Sequence, residues 1–378
     1  MKILFTGGGT GGHVLPLIAV ARELRRIYTA ASDKNVLEMI YMGPKDPFIG
    51  ILLLQEGIKI HTVPSGKLRR YWNIKTFFQN ILDIFFKIPA GIFIAFFKMF
   101  FLSPDLILSK GGYGALPTTI AGWLFRVPIF LHESDIAPGL ANRIGGRLAV
   151  EIFTSFPNTV QFPKKKVIWV GNPVRRELLS GNREEGQTIF SLQGGKPIIL
   201  VLGGSQGAKR INEVLLNIIG QMVKDFEVIH QTGEKNFQEI KNEGNVMIPK
   251  ELQGYYHPIA FFKEPELRHA YATADFIISR SGSGSVFEIA AVGKPSIMIP
   301  LPESAQNHQL LNAYAYGKTG AAIVLEHTNL TPHFLLEKIR SILLLPEEYA
   351  KMSKAALAFA KPEAARILAA YIIEYLKR

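Results

Sequence analysis

The segment GGGTGGH, Gly7 to His13, sets five glycines around one threonine and ends in a histidine, directly after the apolar run Ile3–Phe5. A glycine turn opening a helix leaves backbone N–H groups bare and aims the positive end of the helix dipole outward, so its chemistry is that of holding an anion. An imidazole at the same point can act as a base near neutral pH, or it can simply cap and pack the helix start. Two further loops repeat the pattern: GGSQG (Gly203–Gly207) after Ile198–Leu202, and RSGSGS (Arg280–Ser285) after Phe276–Ser279. Any one of them could be turn chemistry, with glycine supplying only a positive φ. Three at strand ends point instead to the crevices where α/β sheets bind ligands.

Gly7, Gly9 and Gly12 also fit G-x-G-x-x-G, the dinucleotide fingerprint. That reading requires an acid at the end of the second strand to hold a ribose. The second strand, Met39–Met42, ends in Gly43-Pro44-Lys45; Glu38 lies at its wrong end and Asp46 comes late, after a proline. A nicotinamide cofactor is therefore disfavoured. Glu288, one helical turn past Ser281–Ser285, could accept two hydrogen bonds from a ribose diol or merely complement the helix dipole. Arg175 and Arg176 could grip a diphosphate bidentately or be ordinary surface charges.

The elements needed to position these groups are legible as short apolar runs alternating with helical periodicity, the pattern of a parallel α/β sheet. Ile3–Phe5, Leu106–Leu108 and Val127–Leu131 read as strands of a first half, and Ile198–Leu202 and Phe276–Ser279 as strands of a second. Val14, Leu17, Ile18, Ala21 and Leu24 follow helical spacing, with Pro16 expected in a first turn. At 378 residues the chain exceeds one ordinary core. Two doubly wound domains facing each other across a cleft are expected: 1–171, 172–360, and a terminal helix 361–378 packing back on the first. There is no cysteine, which excludes disulfides and thiolate chemistry and suits a reducing compartment. No secretory signal is expected from the opening residues. The net charge of +12 favours acidic partners. Without a zinc finger, an RNA-binding aromatic signature or a long basic block, nucleic acid is not expected among them.

Phe77–Phe101 is the most apolar stretch. Only ten uncharged residues separate Lys87 from Lys98, and Pro89 is among them, so a membrane span of around 20 residues is not expected. Beside it, KLRRYWNIK (Lys67–Lys75) is basic and aromatic. The pair fits docking to an anionic bilayer, and equally two buried helices with a basic loop nearby.

Taken in order, GGTGGH (Gly8–His13), SKGGY (Ser109–Tyr113), HES (His132–Ser134), VGNPVR (Val170–Arg175), GGSQGA (Gly203–Ala208), RSGSGSVFEIAA (Arg280–Ala291) and NHQLLNA (Asn307–Ala313) resemble the peptidoglycan N-acetylglucosaminyltransferases of the MurG type over almost the whole chain. The resemblance implies a GT-B fold and inverting transfer of GlcNAc from UDP-GlcNAc to the 4-hydroxyl of lipid I, the undecaprenyl-diphosphate-linked MurNAc-pentapeptide. It implies peripheral work on the cytoplasmic face of the membrane, with an anionic membrane surface as a further partner. No cofactor and no metal are implied, and no Asp-x-Asp motif occurs. On the donor side it places Arg175 and Ser205 near the diphosphate and the Phe262 backbone near uracil. Ser283, Gly284, Ser285, Val286 and Phe287 form the loop and helix start, with Glu288 on the ribose and Gln309 on the sugar. Thr10, Gly11 and Gly12 face the same cleft, and His13 is the candidate base. One departure bears on Asp135: the family's His-Glu-Gln-Asn is His132-Glu133-Ser134-Asp135 here, so an amide that donates and accepts becomes an acid that, when ionised, only accepts. Relatives in chemistry that share such loops are another lipid-directed GT-B transferase, a UDP-GlcNAc 2-epimerase and a non-catalytic UDP-sugar sensor.

Overall fold

The computed structural model describes residues 1–8, 11–30, 36–67, 69, 74–159, 161–204 and 207–378. They form two compact units, Met1–Arg175 with Lys361–Arg378, and Arg176–Ala360. In the first, β1 (Lys2–Thr6), β2 (Glu38–Gly43), β3 (Lys59–Thr62), β4 (Leu106–Ser109), β5 (Ile129–Glu133), β6 (Glu151–Thr154) and β7 (Val167–Trp169) make one parallel sheet, ordered β3-β2-β1-β4-β5-β6-β7. Alternate side chains feed two cores, as the pleat demands. Ile3 and Phe5 pack on one face with Leu17, Leu24 and Leu368, while Leu4 packs on the other with Met42, Met99 and Ala121. The last helix, Ala364–Lys377, lies against the first, Gly11–Ala30.

The second unit repeats the design. Strands β8 (Ile198–Leu202), β9 (Glu227–Gln231), β10 (Tyr256–Ile259), β11 (Phe276–Ser279), β12 (Ser296–Met298) and β13 (Ala322–Val324) form a parallel sheet ordered β10-β9-β8-β11-β12-β13. Every residue of β8 and β11 is buried, the mark of strands covered on both faces. Each sheet reverses direction once, between β1 and β4 and between β8 and β11. Those switch points are where doubly wound sheets open a crevice at the carboxyl ends of their strands.

Two local features differ from the sequence expectations. The first helix starts at Gly11, so Pro16 sits in its second turn and leaves the Gly12 carbonyl without its helical donor. The apolar stretch is one nearly continuous run: the helix Ile74–Leu82, a π-helical turn Asp83–Lys87, and the helix Ile88–Leu102. Thr76–Leu102 is long and apolar enough to cross a membrane by length and composition, yet only 17% of its most apolar window is buried within the protein. Pro89 causes no break because it falls in the first turn after the π-turn. Gly91, Ala95 and Met99 pack inward, and a β-carbon on Gly91 would lie 2.0 Å from the Pro64 carbonyl oxygen. The opposite face leaves Phe93, Phe97, Phe100 and Phe101 exposed.

Candidate active site

The first switch point brings the loop after β1 against the loop after β4. A β-carbon on Gly8 would lie 2.6 Å from the Gly114 α-carbon, so two bare backbones touch. His13, in the first turn of its helix, projects onto Gly112: a β-carbon there would sit 3.1 Å from His13 Nε2. Gly112 has φ 77° and ψ 170°, a conformation open essentially to glycine alone. Gly11 and Gly12 open the helix beside it, Gly12 exposed; Thr10 lies outside the described residues.

Beneath this surface is a buried polar network. The Lys110 side chain is 2% exposed, and its Nζ is held by His132 Nδ1 at 2.6 Å, Asn172 Oδ1 at 3.3 Å and the Ser134 hydroxyl oxygen. His132 Nε2–H donates to the Gly171 carbonyl at 3.0 Å, which leaves Nδ1 as an acceptor. The Ser134 hydroxyl donates to Asn172 Oδ1 at 3.1 Å, which turns its oxygen toward the lysine as well. All three partners therefore accept, the complement of an ammonium with three N–H donors. Burial pushes Lys110 down to about 7, while the charges of Glu133 and Asp135 hold it up. Burial, with Asp135 adding to it, raises Glu133 in turn. The Glu133 carboxylate accepts from the Asp135 N–H at 2.9 Å and from Asn142 Nδ2 at 2.6 Å. Asn142 Oδ1 then accepts the Gly112 N–H at 3.0 Å. His132 is kept neutral by burial and by Lys110.

At the second switch point, Gly203 N–H donates to the Gln231 carbonyl at 3.3 Å, and Gln231 Nε2 donates to the Gly204 carbonyl at 3.2 Å. Ser205, in the same loop, lies outside the described residues. The helix Ser283–Ala291 begins directly after β11 and its loop. Ser283 is buried and Gly284 and Ser285 are partly exposed, whereas the Val286 and Phe287 side chains are core, Phe287 stacked on Phe359 at 5.1 Å. What Val286 and Phe287 can offer a ligand is backbone alone. Tyr271 donates to Glu288 Oε2 at 2.9 Å and so fixes the carboxylate. Gln309 accepts from Leu301 N–H at 3.0 Å through its side chain and from the Ser281 hydroxyl at 2.8 Å through its carbonyl, which joins two of the loops. Phe262 lies beyond β10 with its ring buried edge-on to Phe190 at 5.8 Å, again leaving only backbone. Arg175, largely buried, closes the first unit.

Glu38, weighed above as a ribose acid, starts β2 opposite Lys2 and pairs with Lys59 at 2.8 Å, far from any carboxyl end. The sequence reading assigned no chemistry to Lys110, Asn142 or Asn172. Its only signal for them was a lysine placed directly before the glycine pair of SKGGY, and the asparagine of VGNPVR.

Two doubly wound units, each with glycine loops at its switch point, are the architecture of the GT-B fold. Residues 3–154 match the glycosyltransferase family 28 N-terminal domain and residues 198–368 the family 28 C-terminal domain. A UDP-N-acetylglucosamine–N-acetylmuramyl-(pentapeptide) pyrophosphoryl-undecaprenol N-acetylglucosamine transferase of Bacillus cereus is 38% identical over 344 residues, 90% of this chain and 91% of the relative. The crystal structure of Acinetobacter baumannii MurG superposes with a TM-score of 0.73 at 25% identity, over 99% of this chain and 100% of that one. A UDP-GlcNAc 2-epimerase from Neisseria meningitidis, at 15% identity and a TM-score of 0.67 over 99% of this chain and 100% of that one, shares the fold alone. The chain belongs to glycosyltransferase family 28, among the N-acetylglucosaminyltransferases of that pyrophosphoryl-undecaprenol type.

Proposed function

We propose that the chain transfers N-acetylglucosamine from UDP-N-acetylglucosamine to the 4-hydroxyl of the undecaprenyl-diphosphate-linked MurNAc-pentapeptide, lipid I, with inversion. The observation that carries the site assignment is His13 seated against the Gly112 backbone at the first switch point. His13 takes the proton of the acceptor hydroxyl, the oxygen attacks the anomeric carbon opposite the diphosphate, and the bond to UDP breaks in one in-line step. The departing diphosphate is met by backbone N–H groups at the start of Ser283–Ala291 and by Arg175, and Glu288 receives the ribose diol. Thr10, Gly11, Gly12 and Asp135 are the further substrate-binding residues of the first unit, and Ser205, Phe262 and Gln309 those of the second.

The exposed phenylalanines of Ile88–Leu102 seat the enzyme on the cytoplasmic leaflet. This helix packs its Gly91–Ala95–Met99 face on the unit's own core, so spanning a bilayer would strip that contact. Its basic flank carries Arg69 and Lys87, which both pair with the buried Asp83, at 2.7 and 2.8 Å. Burial alone would raise Asp83, but hydrogen bonds from Lys87, Arg69 and the Lys67 N–H hold it below the ordinary carboxylate range. Anionic headgroups supply the complementary charge for the remaining cations.

The test is incubation of the protein with labelled UDP-N-acetylglucosamine and a lipid I analogue, beside a control lacking acceptor. Disaccharide product is expected only with acceptor. Replacing His13→Ala is expected to lower kcat by about 10²–10⁴-fold with UDP binding intact. Turnover of the donor alone to its epimer, or UDP binding with no transfer, would sink the reading.

A further inference from the structure

Lys110 is a fully buried cation that the transfer chemistry above does not use. Its three partners come from the ends of two strands: His132 from β5, Ser134 from the loop directly beyond it, and Asn172 from the turn after β7. Its own N–H donates to the Thr6 carbonyl at the end of β1, at 2.8 Å. Lys110 also directly precedes Gly111 and Gly112. From the other side, Glu133 fixes the Asn142 amide, and that amide receives the Gly112 N–H. A β-carbon on Gly111 would lie 1.6 Å from Asn142 Oδ1, so the turn is locked on the amide by contact as well.

We propose that Lys110 is a positioning residue for the transfer: as an ammonium it clamps the carboxyl ends of β5 and β7 to that of β4, in the arrangement that seats His13 on the Gly111–Gly112 turn. This rests on the reading of His13 as the base. The clamp depends on charge. A neutral amine has two N–H groups and a lone pair, so one of three acceptors would face a lone pair instead of a donor. Glu133 would also lose its nearest counter-charge and with it part of its hold on Asn142. The titratable groups facing Lys110 are His132, Glu133 and Asp135. Of these His132 is already neutral, and burial raises Glu133 to about 7, the same region to which it lowers Lys110. Lys110→Met keeps the Glu133 carboxyl, so a pH effect lost in that variant belongs to the lysine and one that survives in it belongs to the acid.

Loss of that proton moves stability and activity in opposite directions. A lysine that gives up its proton more readily folded than unfolded makes stability rise with pH between its folded and unfolded ranges, because the unfolded chain binds more protons there. A clamp that needs the ammonium makes kcat fall over the same window. A merely structural lysine would make activity follow stability.

The experiment follows kcat, KM for the donor and melting temperature from about pH 7 to about pH 9.5 in the full-length protein, in Lys110→Met, and in Lys110→Met/Glu133→Gln, which removes both buried charges should the single variant fold poorly. The expected result is a falling kcat limb in the wild type while melting temperature, relative to the variants, rises. In the variants kcat is lowered about 10–100-fold, as for a small misplacement of a reacting group, the limb is absent and donor KM is unchanged. The His13 ring resonances, followed by NMR in the wild type, are expected to shift in step with the Lys110 ε-carbon. Wild-type kcat and limb in the double variant, kcat that tracks melting temperature, or His13 signals indifferent to the Lys110 titration would each overturn the clamp. If the wild type transfers nothing at any pH, the transferase reading fails, and the coupling of the His13 and Lys110 signals alone decides the clamp.

Discussion

Gly112 shows how much one residue without a side chain carries. Its φ and ψ lie where a β-carbon clashes with its own backbone, at a cost of order 1–3 kcal/mol. The same β-carbon would press on His13 Nε2 at 3.1 Å and the Gly8 carbonyl oxygen at 3.2 Å. Gly112→Ala is therefore expected to lower stability by about 1–3 kcal/mol in denaturant unfolding and kcat by about tenfold or more, with donor KM little changed. An unaltered kcat would mean His13 does not work against this turn. Glycine loops were readable because the residue type itself announces the backbone. Lys110 was not, since its burial depends on acceptors 22, 24 and 62 positions away in the chain. A lysine in a string of letters looks like a surface charge until the fold supplies three acceptors.

At the scale of elements, the strands that carry the site were legible because parallel strands covered on both faces must be unbroken apolar runs, as Ile198–Leu202 and Phe276–Ser279 are. The run from Ile74 to Leu102 was read less well. Charge spacing there argued only against a membrane span and said nothing of how the run continues; a π-turn carries it across Lys87 to Pro89, and Asp83 pairs with Lys87 one turn away. Which phenylalanines face outward followed only from the close approach of Gly91 to Pro64, a contact 27 residues apart in the chain that no periodicity reveals. Phe93 and Phe101, 65% and 79% exposed, contribute little to folding. Phe93→Ser/Phe101→Ser is expected to leave the melting temperature nearly unchanged while vesicle binding weakens by about tenfold or more, since each ring buried in lipid is worth about 1.5–3 kcal/mol. Flotation with vesicles containing an anionic phospholipid measures it, and transfer to a water-soluble acceptor serves as the control. Equal flotation of variant and wild type would place the lipid contact elsewhere.

For the molecule as a whole, the decisive feature is that each unit owns its sheet and its core. The second unit's core, from Ile199 and Val201 through Leu335 and Ile339, shares no residue with the two cores of the first. The loops proposed for the nucleotide, Gly203–Gly207, Ser283 to Glu288 and Gln309, also belong to this unit. A ligand stabilises the element it binds by mass action, about 2.7 kcal/mol at a hundredfold excess over Kd. Saturating UDP is therefore expected to slow hydrogen exchange of the β8 and β11 amides by up to about a hundredfold, and to leave β1 and β4 nearly unchanged. Slowing confined to β1 and β4 would move the nucleotide to the first switch point and reverse the donor and acceptor assignments. Equal slowing in both sheets would mean that the two cores unfold as one, and that the nucleotide is felt by the whole chain rather than by the unit whose loops hold it.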